Sequence, residues 1–209
     1  MQKKKTRRDP VRTKRLLLEA ATEEFAKKGL KGARIDAIAA LAGVNKQLVY
    51  HHFGSKDDLY LKVLEEGYER YRGRDKELRL ETLGPDEAIR RLVTATFDGL
   101  RAEPHFAALV VDENLHHARH VRKSRRLRAL HADLLARIGA ALIRGEKENV
   151  FRRGIDPMQL YISIAGLASF YLTNNFTLSA VFGVDLSKPQ AFAARRAHVI
   201  DMVMASLRP

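Results

Sequence analysis

Residues 35–50 read IDAIAALAGVNKQLVY, two short segments with apolar spacing on either side of a glycine. Ile35, Ile38, Ala39 and Ala42 recur at helical intervals and end near Gly43, and Asn45 can cap a second short helix running to about His52. Apolar residues fall only where two crossing helices would touch, which predicts a helix-turn-helix. Ala39 must be small for the helices to approach, Gly43 can take a positive φ in the turn, and Val44 and Val49 fill the space beneath. The outer side of the second helix is left polar by Asn45, Lys46, Gln47, Tyr50 and His51, followed by His52 and Lys56. Such groups hydrogen-bond to base edges in a major groove or to phosphates.

Upstream, QKKKTRR over 2–8 is too polar to pack, and residues 1–9 are expected to form a disordered basic arm. The arm either follows a DNA backbone or minor groove, with affinity that falls in salt, or serves as a solubilising tail. Asp9-Pro10 then starts a helix over about 10–28, with Leu17, Ala20, Ala21 and Phe25 on one face and Gly29 at its end. Downstream, Ser55-Lys56-Asp57-Asp58 is a capping-box-like start for a longer helix with a vague end near 70–80. After the Gly84-Pro85 break, helical periods run over about 86–101, 105–117, 121–148, 157–182 and 189–207. There is no alternating strand, repeat or low-complexity linker. The expected fold is all-α with about nine helices: a helix-turn-helix domain over 10–56 and a second helical domain over 57–209.

The 209 residues carry 38 Lys+Arg against 25 Asp+Glu, a net charge of +13 that predicts a polyanionic partner without specifying which. Residues 1–60 hold 14 basic and 7 acidic side chains, so about half of the excess sits in the first third of the chain. With no Cys, a thiolate zinc finger, a disulfide scaffold, a cysteine nucleophile and a thiol redox switch are all excluded. No apolar run approaches the roughly 18 residues that span a bilayer, and the basic start has no signal-peptide core, so a soluble cytoplasmic protein is expected. No Gly-x-Ser-x-Gly, phosphate loop or His-Glu-x-x-His is present, which argues against an enzyme, and no cofactor is implied.

Residues 12–59 resemble the DNA-binding domain of the TetR/AcrR family of bacterial transcription regulators. The resemblance is carried by Ala20-Ala21…Phe25…Gly29, by Ile38-Ala39…Ala42-Gly43-Val44, and by Tyr50-His51-His52-Phe53-Gly54-Ser55-Lys56…Leu59. It implies a dimer on a palindromic double-stranded operator, usually repressing until a small molecule releases it. It also implies backbone contacts from Tyr50, His52 and Lys56 and base contacts from Lys46, Gln47 and His51. Where the family normally has Thr or Ser as a cap and phosphate contact, this chain has Arg34 after Ala33, so the cap is lost or supplied otherwise.

The family resemblance also implies that 57–209 is an effector-binding and dimerisation domain whose helices 157–182 and 189–207 pair with their copies in a homodimer. Ala165, Gly166, Ser169 and Thr173 permit close approach, and Ile162, Leu172 and Phe176 add apolar surface. Polar groups among apolar ones mark candidate effector contacts: Glu113, Asn114, His117, Asn174 and Asn175 with Phe97, Phe106, Phe170, Tyr171 and Phe176. Glu113-Asn114-Leu115-His116 and the stretch Ile155-Asp156-Pro157…Phe170-Tyr171…Asn174…Phe182-Gly183 faintly resemble the branch of regulators of pyrimidine and nicotinate catabolism, which implies a small aromatic or heteroaromatic effector.

Several alternatives stand beside this reading. One is a regulator with no small-molecule effector, or an activator. Another is a metal sensor, if Glu113, His117 and His120 share a helix face at i, i+4, i+7, although Arg119, Arg122 and Lys123 crowd it. The run from Arg119 to Arg128 is expected to be a solvated helix face, or else a second nucleic-acid surface. A protein that uses the basic arm at a membrane surface is the rival from another class.

Overall fold

The computed structural model describes residues 9–209, without the side chains of 74–76, so the expected arm over 1–8 lies outside the described residues. Among the described residues there are nine α-helices and no strand: α1 (Pro10–Gly32), α2 (Ile35–Leu41), α3 (Lys46–Phe53), α4 (Lys56–Glu77), α5 (Pro85–Ala102), α6 (Pro104–Leu115), α7 (Arg125–Lys147), α8 (Pro157–Phe182) and α9 (Pro189–Leu207). Single 3-10 turns cover Leu80–Thr82 and Val121–Lys123.

Local chemistry sets most of these limits. The Asp9 side chain accepts the Val11 N–H, Asp156 accepts those of Met158 and Gln159, and proline opens α1, α5, α8 and α9, where its missing donor costs nothing. At α4, Ser55 Oγ accepts the Asp58 N–H at 3.1 Å and donates to the Asp58 carboxylate at 2.6 Å, a reciprocal cap that fixes the entry of the chain.

The chain forms two compact units. One joins the described residues up to Gly67 with Ala108–Arg125; the other comprises Tyr68–Ala107 and Arg126–Pro209. The division passes inside α4 rather than at 56/57. In the first unit Leu17, Ala21 and Phe25 of α1 pack with Ile38, Val49, Leu59, Tyr60 and Leu64, and with Leu109 of α6. In the second, Ile89, Leu92 and Val93 of α5 meet Ile138 and Leu142 of α7, Leu160 and Ile164 of α8 and Val199 and Val203 of α9. Full burial of each such side chain contributes on the order of 1.5–3 kcal/mol, which is what orders helices whose own propensity is modest.

Two expected helices are corrected. The period predicted over 105–117 ends at Leu115, with His117 and Ala118 at φ of 55° and 56°, and the period predicted over 121–148 begins as a 3-10 turn before α7. The physical reason is a buried carboxylate: Glu113 accepts the N–H groups of His120 and Val121, which bends the chain back at the end of α6. No helix therefore carries Glu113, His117 and His120 on one face, and the metal-sensor alternative loses its ligand geometry. Among the described residues, no group of three His, Asp or Glu side chains is arranged to hold a metal ion. Nor is the run from Arg119 to Arg128 one helix face. No helix of the described residues is long and apolar enough to cross a membrane.

Candidate DNA-binding face and effector region

Two short helices joined at Gly43, φ 65°, place α3 against the first core through a single fully buried residue, Val49, supported by Ile38 and Ala39 of α2. Everything else on the outer side of α3 stays accessible: Lys46, Gln47 and His51 are exposed, and Tyr50 retains half of its surface. Asn45 caps α3 by accepting the Gln47 N–H at 2.9 Å, so its carbonyl oxygen is occupied in the protein rather than offered outward. Lys46 lies 3.3 Å from Asp36 with both side chains well exposed, a pair of the kind that holds by at most about 1 kcal/mol and yields readily to another anion. The rings of His51 and His52 meet edge to face with centroids 5.3 Å apart. Lys56, half-buried at the start of α4, donates to the Lys31 carbonyl at 3.4 Å, near the end of α1.

Arg34 occupies the N-cap position of α2 without a side-chain cap bond. Its backbone N–H instead reaches Glu24, at 3.2 Å, a carboxylate also bound by Lys28 at 2.9 Å. Burial acts to raise the Glu24 carboxyl, but these donors outweigh it and hold the group below the ordinary range. The Arg34 guanidinium is consequently free of any capping duty.

The residues least visible in the sequence are those that lock 108–125 into the first unit. Asp112 accepts the Leu30 N–H at 2.9 Å and the Tyr60 hydroxyl at 2.8 Å. Burial, reinforced by that carboxylate, pushes the Tyr60 phenol far above its usual range. Gly29 stands opposite with φ 65°, where an added Cβ would lie 2.5 Å from Asp112 Oδ1. Glu113, almost fully buried, also meets His120 Nδ1 at 2.7 Å, while His120 Nε2 lies 2.8 Å from Asp57 Oδ1. Arg119 donates to the same Asp57 oxygen at 2.6 Å. The bond to His120, then that to Arg119, hold the Asp57 carboxyl below its ordinary value against the opposing effect of burial.

The ten effector candidates are scattered by the fold, with Phe176 on the surface. Phe97 and Tyr171 come together in the second unit, where Phe97, Ala168, Tyr171 and Phe192 form one cluster and the Tyr171 hydroxyl donates to the Leu186 carbonyl at 2.7 Å. Asn175 follows one turn along α8, and its Oδ1 is buried without a hydrogen-bond partner, as is Oγ1 of Thr96 beside Phe97. Phe106 lies elsewhere in this unit, edge-on to Tyr68 with centroids 4.8 Å apart. Phe170 points outward, and Asn174 turns back to the Phe170 carbonyl. Glu113 has its oxygens engaged in the first unit, and Asn114 and His117 are exposed there. Clefts of about 490, 370 and 210 Å³ in the second unit have none of the ten in their walls. Sequence reasoning missed Arg72, a buried guanidinium stacked 4.4 Å from the Tyr71 ring centroid and 4.8 Å from that of Tyr161; lying among the charged residues of 69–77, it carries no periodic signal.

A family model for the tetracyclin repressor-like C-terminal domain matches residues 85–203, and one for bacterial regulatory proteins of the tetR family matches 17–63. The chain belongs to the TetR family of bacterial transcription regulators. Among its TetR-family relatives, the HTH-type transcriptional repressor NicS of Pseudomonas putida is 36% identical over 94% of this chain and 93% of its own. The HTH-type transcriptional regulator RutR of Escherichia coli K12 is 29% identical over 94% and 91%. A solved Streptomyces coelicolor protein, SCO4942, superposes with a TM-score of 0.70 at 26% identity, covering 94% of this chain and 99% of that one. TetR regulators bind operator DNA, typically as homodimers that respond to small molecules, and these relatives are regulators rather than enzymes.

Proposed function

We propose that the chain is a repressor that binds a palindromic operator as a homodimer and leaves it when a small effector binds. The observation that carries this reading is the outer face of α3, where Lys46, Gln47, Tyr50 and His51 stand exposed on a capped helix anchored by Val49. Lys46, Gln47 and His51 then meet base edges, and Tyr50, His52, Lys56 and Arg34 meet phosphates, with the two copies of α3 in successive major grooves about 34–36 Å apart. Such a role requires residence with the chromosome in the cytoplasm.

The outer side of α8 supports pairing through α8 and α9. Ile162, Phe170 and Phe176 are exposed there, Phe176 to 78%, with Gly166 and Thr173 between them. Large apolar groups concentrated on one helix side mark a surface that a partner covers, and small residues between them let a second helix come close. For the effector, the Phe97–Tyr171–Phe192 cluster with the unpartnered oxygens of Asn175 and Thr96 supports a small ring-bearing molecule that offers hydrogen-bond donors. Release requires that it bind the non-operator conformation more tightly, with a coupling on the order of 1–3 kcal/mol.

Changing Tyr50 and Lys56 together to Ala should abolish operator binding and leave the dimer intact by light scattering; unchanged operator affinity would show that the DNA surface lies elsewhere. Small aromatic and heteroaromatic compounds should raise the melting temperature and release the operator, whereas stabilisation only by long acyl chains or multidrug cations would refute the effector class.

A further inference from the structure

From Asn114 to Ala132 the chain runs nineteen residues without an acidic side chain and carries six Lys or Arg. Its first part, Arg119 to Arg125, belongs to the same compact unit as the helix-turn-helix. Arg119, Arg122, Lys123 and Arg125 are all exposed, while the residues between them are tied down. His120 is fixed by Glu113 and Asp57, with its ring edge-on to Tyr60 at 5.0 Å, and Ser124 Oγ donates to Glu65 at 2.6 Å. The segment is thus fastened to α4 near its first turn and again about two turns on, so its four cations stand on an anchored stretch of backbone rather than on a tail. Its end nearest α3 is also defined. Arg119 bonds to Asp57, the residue after Lys56, and Asp57 has its charge answered by Arg119 and His120.

We propose that Arg119–Arg125 is a second phosphate-contacting element that enlarges the DNA footprint beyond α3 and the start of α4. The inference rests on the DNA-binding reading of α3 given above. Cations carried on an anchored backbone in the unit that holds the recognition helix bind a polyanion without the entropic cost of ordering a mobile loop. Contacts of this kind position the protein and carry no sequence information, so they add affinity equally on operator and on random duplex. Arg119 is structurally committed to Asp57; Lys123 and Arg125 are the side chains to change.

The test compares the parent protein with Lys123→Gln/Arg125→Gln on operator and on random duplex across 50–200 mM salt. Each phosphate contact contributes about 0.9 to the steepness of log affinity against log salt, so losing two per subunit, four per bound dimer, makes the slope shallower by about 3.6. The penalty of the double variant should therefore shrink roughly a hundredfold between 50 and 200 mM salt, with the operator-to-random ratio and the melting temperature unchanged. An unchanged slope refutes the proposal, as does loss of binding to anionic phosphatidylserine vesicles with DNA affinity intact. Failure of the underlying reading looks different: the Tyr50→Ala/Lys56→Ala protein would then retain operator binding whatever the slope.

Discussion

Replacing Glu113 by Ala separates two readings of it, the effector contact expected from the sequence and the structural knot at the end of α6. The carboxylate accepts the His120 N–H at 2.8 Å and the Val121 N–H at 3.0 Å and meets His120 Nδ1 at 2.7 Å, all in a site with almost no solvent. Alanine strands two backbone donors and one side of an imidazole. A buried donor left without a partner costs about 1–3 kcal/mol, and two are stranded here, so the loss should reach roughly 3–5 kcal/mol. Gln at the same position keeps an oxygen for the two N–H groups and loses only the charge, for about 1–2 kcal/mol. Urea unfolding followed by circular dichroism reads both, at one fixed protein concentration because dimer stability depends on it. The reasoning is refuted if Glu113→Ala costs less than about 1 kcal/mol yet loses its response to effector.

Gly29→Ala should destabilise by about 2–3 kcal/mol, because Cβ strain at φ 65° adds to a 2.5 Å approach to Asp112; a neutral change in the urea midpoint would contradict that geometry. Asp57 has a depressed folded pKa, so its contribution to stability is present above the ordinary carboxyl value of 3.8 and fades as pH falls through the lowered folded value. Asp57→Asn should accordingly flatten the acid side of a melting-temperature profile taken from pH 6 to 3, and a profile parallel to that of the parent would count against the knot. Charging the outer side of α8 with Ile162→Asp/Phe176→Asp should give a folded monomer with weakened operator binding; a persistent dimer in light scattering would exclude α8 from the interface.

The helix-turn-helix was legible because its determinants are local. The Asn45 cap, the positive φ of Gly43 and the buried Val49 all act within one or two turns of their own position. The bounds of α8 and α9 were legible for the same reason, since Asp156-Pro157, Gly183 and Pro189 punctuate them. The end of α6 was not legible, because neither Gly nor Pro marks it. The chain turns there because Glu113 captures two N–H groups seven and eight residues on, and His120 is met by Asp57 from 63 residues away. The effector candidates divided for a geometric reason: Phe170 and Tyr171, like Asn174 and Asn175, are sequence neighbours, and a helix turning about 100° per residue cannot send both members of a pair inward. Composition located the polar groups of α8 but not the side of the helix each one faces.

Hydroxyl-radical footprinting of the parent protein on its own upstream DNA tests the central claim most directly. The account predicts protection of a palindrome whose half-sites lie one helical turn, or a multiple of it, apart, abolished by Tyr50→Ala/Lys56→Ala. Protection indifferent to sequence, or a specific footprint that survives this double substitution, would contradict it.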